Sequence, residues 1–171
     1  MQALLIDIEG WEIQMERLLK QIEAYKPCNE QEEKDRELLI QWIRSGMDIV
    51  TRANETAHLT ASAWVVSPDR KHVLMAYHNI YNSWAWLGGH ADGEWNLQKV
   101  AIREVEEESG LSQVTLLQEA PVSLEILTVD GHWKRGMYVS SHLHLNVTYL
   151  MEADPRKPIR KKPDENSVRK H

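Results

Sequence analysis

The sequence predicts an α/β domain built on a mixed sheet, in an α+β or α/β/α arrangement, with a helical extension in front of it. Three observations carry that expectation. Helix-period apolar spacing is confined to the first third; short β-rich runs follow from about Leu59; and one central helical segment interrupts those runs without alternating regularly with them. At 171 residues, 42% hydrophobic and 27% charged, the chain has the size of one domain and is too apolar for a disordered segment.

The elements follow in order. Trp11, Met15, Leu18, Leu19 and Ile22 recur at the three- and four-residue spacing of one helix face, and Pro27 closes that segment. A second helix begins after Asn29, whose side chain can cap free amides, and runs through Leu38, Leu39 and Trp42 to Ser45-Gly46. Leu59 to Val66 and Val73 to Tyr77 are β-rich runs separated by the turn formers Ser67-Pro68-Asp69-Arg70, which reads as a hairpin. Trp84-Ala85-Trp86-Leu87 is a third extended stretch, ending at Gly88-Gly89. A helix from about Trp95 to Ser109 follows, with Asn96 as its cap and Gly110 as its stop. Strands return at Val122 to Val129, Met137 to Ser140 and His142 to Tyr149. In the last run odd positions are apolar, which predicts one dry and one wet face.

Bulk properties narrow the function. No stretch approaches the roughly 20 apolar residues of a membrane span, and Met1 to Ile8 lacks the basic start of a signal peptide, so no membrane partner and a cytoplasmic location are expected. Cys28, alone, cannot form an internal disulfide and reads as inert. A net charge of −6 argues against a nucleic-acid polymer as partner. From Asp154 onward, Arg156, Lys157, Arg160, Lys161, Lys162, Arg169 and Lys170 outnumber Asp154, Asp164 and Glu165; this is either a solvated tail or an edge that attracts an anionic substrate.

The helix at Leu97 to Ser109 conflicts with ordinary stability rules. At about 100° per residue, Glu104, Glu107 and Glu108 share a face with Leu97, Val100 and Ala101, so carboxylates continue the row expected to press inward. Glu106, Glu107 and Glu108 also occupy the last turn, where the helix dipole favours cations. A solvated acidic face paired with Lys99 and Arg103 is the bland reading. A divalent cation is the sharper one: oxygen-only ligands suit Mg²⁺, which takes a few carboxylates, waters and substrate phosphate oxygens.

Gly88-Gly89-His90, followed by Arg103-Glu104-Val105-Glu106-Glu107-Glu108-Ser109-Gly110-Leu111, resembles the Nudix box. Its second half is Arg-Glu, an aliphatic, any residue, Glu-Glu, any residue, Gly and an aliphatic, and every fixed position is met. The resemblance implies a Nudix-type α/β/α sandwich over 57–171, after an N-terminal helical extension over 1–56, ending short of the usual final strand and helix. That shortening would leave apolar sheet surface for the N-terminal helices or a second subunit to cover, hence a possible homodimer. The implied cofactor is Mg²⁺ or Mn²⁺, with Glu104, Glu107, Glu108 and the Gly89 carbonyl as ligands and Arg103 holding a glutamate in position. The implied reaction is hydrolysis of a phosphoanhydride bond in a small phosphorylated substrate, a nucleoside di- or triphosphate or a nucleoside diphosphate derivative. One departure stands out: the glutamate usual six residues after the motif's first glycine, counted here from Gly89, is Trp95, and Glu94 stands one residue early. The phrases from Tyr77 to Trp84, Gly88 to Gly93 and His142 to Leu145 are similar to a bacterial Nudix group without a settled substrate.

Weaker signals surround the box. Tyr81, Trp84 and Trp86 flank the glycines Gly88 and Gly89, and together could bind substrate by stacking a base, although core packing accounts for at least one of the aromatics. Glu107, Glu108, Asp164 and Glu165 are candidate general bases. His142 and His144, with His90 or His132, suggest zinc ligation, yet a wet strand facing substrate explains them as well. Two readings remain: a working pyrophosphohydrolase, favoured by the intact glutamates, and a catalytically impaired Nudix-fold nucleotide-binding or regulatory protein, favoured by the short end.

Overall fold

The computed structural model describes residues 8–78, 82–134, 136–159 and 166–170, with side chains from residue 10 to residue 159 within those ranges. Two helices, α1 (Ile8–Ala24) and α2 (Glu30–Arg44), precede β1 (Ala57–Val66), β2 (Val73–His78), β3 (Ser83–Ala85) and β4 (Leu87–His90). The box helix α3 (Leu97–Ser109) comes next, then β5 (Thr115–Leu116), β6 (Ser123–Val129), β7 (His132–Lys134), β8 (Met137–Val139), β9 (His142–Glu152) and β10 (Asn166–Lys170).

The main sheet runs β10-β2-β1-β9-β5, with β3 beside β2, β4 beside β1 and β6 beside β9. Its centre, β1 with β9, is parallel, and the other pairings are antiparallel, so the sheet is mixed as expected. Two strands 76 residues or more apart in sequence thus form the middle of the domain, through a register that sets Leu59 beside Leu145, Ala61 beside Val147 and Ala63 beside Tyr149. Antiparallel pairing of β4 adds Gly89 beside Ala61 and Leu87 beside Ala63. These residues make one face, and the apolar side chains along it are buried. Leu18 and Ile22 of α1, Leu39 and Ile43 of α2, and Leu97, Val100 and Val105 of α3 join them in a single core, which is how the N-terminal extension covers sheet surface.

Helix α2 also closes the open edge of β6. Asp35 accepts a hydrogen bond from the Ile126 amide at 3.1 Å, and Glu32 accepts from the Ser123 hydroxyl at 2.9 Å. The Tyr25 hydroxyl lies 2.8 Å from Glu32 and 3.1 Å from the Val122 carbonyl. Spaced one helical turn apart, the two carboxylates satisfy edge groups that would otherwise recruit another strand. Burial by itself would raise the Glu32 pKa. The Cys28 amide, the Tyr25 and Ser123 hydroxyls and the Leu124 amide outweigh it and hold the carboxyl below its ordinary value.

The structure corrects three expectations. The extended stretch from Trp84 does not stop at Gly88-Gly89: it is two short strands, and β4 continues through both glycines to His90. A Cβ on Gly88 would collide with the Ala61 carbonyl and Ser62, so this glycine serves close strand packing and not a turn. The polar face of β9 is not wet along its length. Asn146 and Thr148 are 1% and 4% exposed, because β9 is an inner strand flanked by β1 and β6. Finally, a strand, β10, lies along β2 where the sequence read only a charged tail.

Candidate functional site

The box is assembled by β4, the turn after it and α3. Asn96 caps α3, its side chain accepting from the Lys99 amide, and Gly110 ends the helix in the left-handed conformation at φ 71°. The turn is tied to β1 and to the segment before it: the Ala91 amide donates to Leu59 O, the Gly93 amide to Val50 O, and Arg52 pairs with Asp92. Glu94 is engaged locally, accepting from the Asn96 amide at 3.0 Å and pairing with Lys99 at 2.7 Å. Burial opposes its ionisation, and Lys99 with the Asn96 amide more than compensates, holding its pKa low. Trp95, where the family motif carries glutamate, is buried and packs edge-on against Trp11 of α1 at 5.3 Å. The departure in the motif is therefore a docking point for the helical extension.

Among the box glutamates the environments diverge. Glu104 lies over β4, with its side chain 15% exposed, and the Arg103 guanidinium reaches its Oε1 at 3.0 Å and the His90 carbonyl at 3.1 Å. A Cβ on Gly89 would run into the Glu104 carboxylate, so the bare backbone there makes the cradle in which that group rests. Glu108, one turn on, is buried at 6%. Glu107, expected to face inward with them, is exposed beside Glu106, because three residues carry it past the edge of the buried stripe. The last turn of α3 holds no basic residue. Stability alone gives no reason for such a run against the helix dipole.

Trp84 and Trp86, the aromatic candidates among the described residues, sit outside the core. Trp84 is 37% exposed and meets Tyr77 edge-on at 5.2 Å, while Trp86 is half-buried and approaches Trp64 at 6.3 Å. Gly88 lies in β4 opposite Ser62. Tyr81, Asp164 and Glu165 lie outside the described residues, as do the side chains of Arg160, Lys161, Lys162, Arg169 and Lys170. Arg156 is paired with Asp154 at 2.9 Å, which reduces the free positive charge of that segment.

The opposite face of β1, β4 and β9 is polar. Thr60 and Ser62 donate to Asn146 Oδ1 at 3.0 and 2.9 Å, and Asn146 donates to Glu125 at 2.7 Å. Histidines occupy the end of this face nearest the β4 turn: His58 of β1, His90 of β4 and His142 with His144 of β9. His132, a partner weighed from the sequence, sits on the β7 hairpin against Asp130 O. His58, which the spacing did not single out, takes its place because β1 pairs in parallel with β9 and sets His58 beside His144. Burial, then neighbouring positive charge, pushes His90 and His144 down to about 3.

A NUDIX domain model matches residues 56–170. Similar solved structures include a NUDIX-family hydrolase from Clostridium perfringens, 20% identical over 67% of this chain and 80% of that one, with a TM-score of 0.47. An Ap4A hydrolase from C. elegans is 17% identical over 65% and 77%, TM-score 0.45. A dihydroneopterin triphosphate pyrophosphohydrolase from E. coli is 14% identical over 65% and 77%, TM-score 0.47. No curated protein matches the chain.

Proposed function

The chain belongs to the Nudix family of pyrophosphohydrolases, and from that premise we propose that it is a divalent-metal-dependent hydrolase. Its substrate is a nucleoside di- or triphosphate or a nucleoside diphosphate derivative, cut at a phosphoanhydride bond. The observation that carries this reading is Glu104 seated on Gly89 and braced by Arg103, with Glu107 and Glu108 following on the same helix.

The residues fit a hard cation. The donors are oxygens only, and the missing Cβ at Gly89 leaves room for the carboxylate that a side chain would displace. Glu104, Glu107, Glu108 and the Gly89 carbonyl are the proposed ligands for Mg²⁺ or Mn²⁺. Such an ion, when bound, supplies charge neutralisation for the diphosphate and a more acidic coordinated water. The protein's own part is positional. Arg103 restrains Glu104 through a charge-assisted hydrogen bond while anchoring to the His90 carbonyl. Glu108 is buried, and the exposure of Glu107 supports a role for it in meeting substrate and taking a proton. Trp84, partly exposed, offers a face for a base.

The deciding experiment measures Mg²⁺- and Mn²⁺-dependent product release by the purified chain across nucleoside triphosphates, dinucleoside polyphosphates and nucleotide sugars, with products identified by mass. Turnover that disappears in Glu107→Gln supports the hydrolase and names the substrate class. Folded, metal-loaded protein with no turnover anywhere on the panel would move the reading to a Nudix-fold binding protein.

A further inference from the structure

We propose that His58, His90 and His144, with His142 beside them, form a transition-metal site of the zinc class on the polar face of the sheet, separate from the box glutamates. One coordinating atom from each of His58, His90 and His144 falls within 4.8 Å of the others. Ring centroids are 5.1 Å apart for His58 and His90, 5.2 Å for His58 and His144, and 5.0 Å for His90 and His144. His142 Nε2 stands 3.2 Å from His144 Nε2. Ligand nitrogens around a tetrahedral Zn²⁺ are separated by roughly 3.3 Å, as follows from Zn–N bonds of about 2.0–2.1 Å.

His58 Nδ1 lies 3.0 Å from the Asn54 carbonyl and His142 Nδ1 lies 2.9 Å from the Ser140 carbonyl. A carbonyl only accepts, so each Nδ1 carries a proton, and the neutral ring then presents its lone pair at Nε2. Metal-ligating histidines are held in this way, with the distal N–H on a backbone carbonyl. His58 Nε2 is buried with no hydrogen-bond partner among the described residues, an expensive arrangement that a bound cation resolves. A proton between His142 and His144 would satisfy that pair alone, whereas one cation answers His58, His90 and His144 together. Imidazole donors select zinc-class ions, in contrast with the oxygen donors of the box.

The site joins β1, β4 and β9 at one point. His90 contributes its ring here while its carbonyl holds Arg103 on the far side, so metal at this position stiffens the strand on which the box helix rests.

The test uses the full chain without an affinity histidine tag, stripped by a chelator and titrated with Zn²⁺. The expected result is one zinc per chain, retained in Glu104→Gln/Glu107→Gln and weakened in His58→Ala/His144→Ala by more than the roughly 100-fold that outer-shell changes produce. Zinc-edge X-ray absorption on the loaded wild-type chain, which does not depend on a variant folding, should show an imidazole-nitrogen shell at about 2.0–2.1 Å. No uptake at micromolar zinc, an oxygen-only shell, or uptake that survives in the histidine variant would overturn the proposal, as would loss confined to the glutamate variant.

Discussion

Gly89 and His90 are neighbours on one strand, yet they serve opposite chemistries. Toward α3, Gly89 is bare and a carboxylate rests where its side chain would be; on the other face, His90 joins three more imidazoles. The carboxylate side is braced by one arginine and opens to solvent at Glu107. The imidazole side is more enclosed, and the rings set against His58 are those of His90, His142 and His144. Because strand residues alternate faces, a four-residue strand can hold a hard-cation site and a borderline-cation site back to back, sharing a backbone and no side chain.

Gly89→Ala should do the most damage. It pushes Glu104 out of its cradle and is expected to lower metal-dependent turnover by on the order of 100- to 1000-fold, the scale of losing one preorganised electrostatic partner, with zinc uptake on the far face retained. Equal damage to both would show that the faces are not independent. Arg103→Ala is milder, about 10- to 100-fold, since it removes a brace and not a proposed ligand; the loss should fall on kcat and be partly restored by Arg103→Lys.

Stability should respond elsewhere. Asp35→Ala leaves the Ile126 amide of the β6 edge without its acceptor and is expected to cost about 1–3 kcal/mol in denaturant unfolding, without changing the metal dependence of turnover. Glu32 makes the same edge acid-sensitive. Its folded pKa lies below the ordinary carboxylate value, so its stabilisation is complete above that value and is lost as pH falls through the folded one. Acid unfolding followed by circular dichroism should therefore be shallower over that window in Glu32→Gln. The smallest effect is Asn29→Ala, which removes the cap on the Glu32 amide and should cost about 1 kcal/mol.

Legibility in the sequence followed the range of the interactions involved. Both caps, Asn29 and Asn96, and the stop at Gly110 were readable because a helix end is satisfied within four residues. The box glutamates were readable for the same reason, their spacing being a property of one helix. Glu107's exposure was not, since the edge of the buried stripe depends on where α3 lies across β4. The two-residue β5 and three-residue β7 were too short to leave a period. Glu94 and Trp95 depart from the motif in the sequence, and the structure sets Trp11 against Trp95. That contact spans 84 positions and leaves no local trace.

The helices, most of the long strands, the Nudix box and the acidic run at the end of α3 are legible locally, because each rests on periodicity or spacing within one element. The parallel pairing of β1 with β9 is a property of the packed chain, and with it come the meeting of His58 and His144 and the burial of Asn146 and Thr148. A parallel pairing is closed by a long crossover whose register is set by packing of the whole core, and no local sequence signal encodes it.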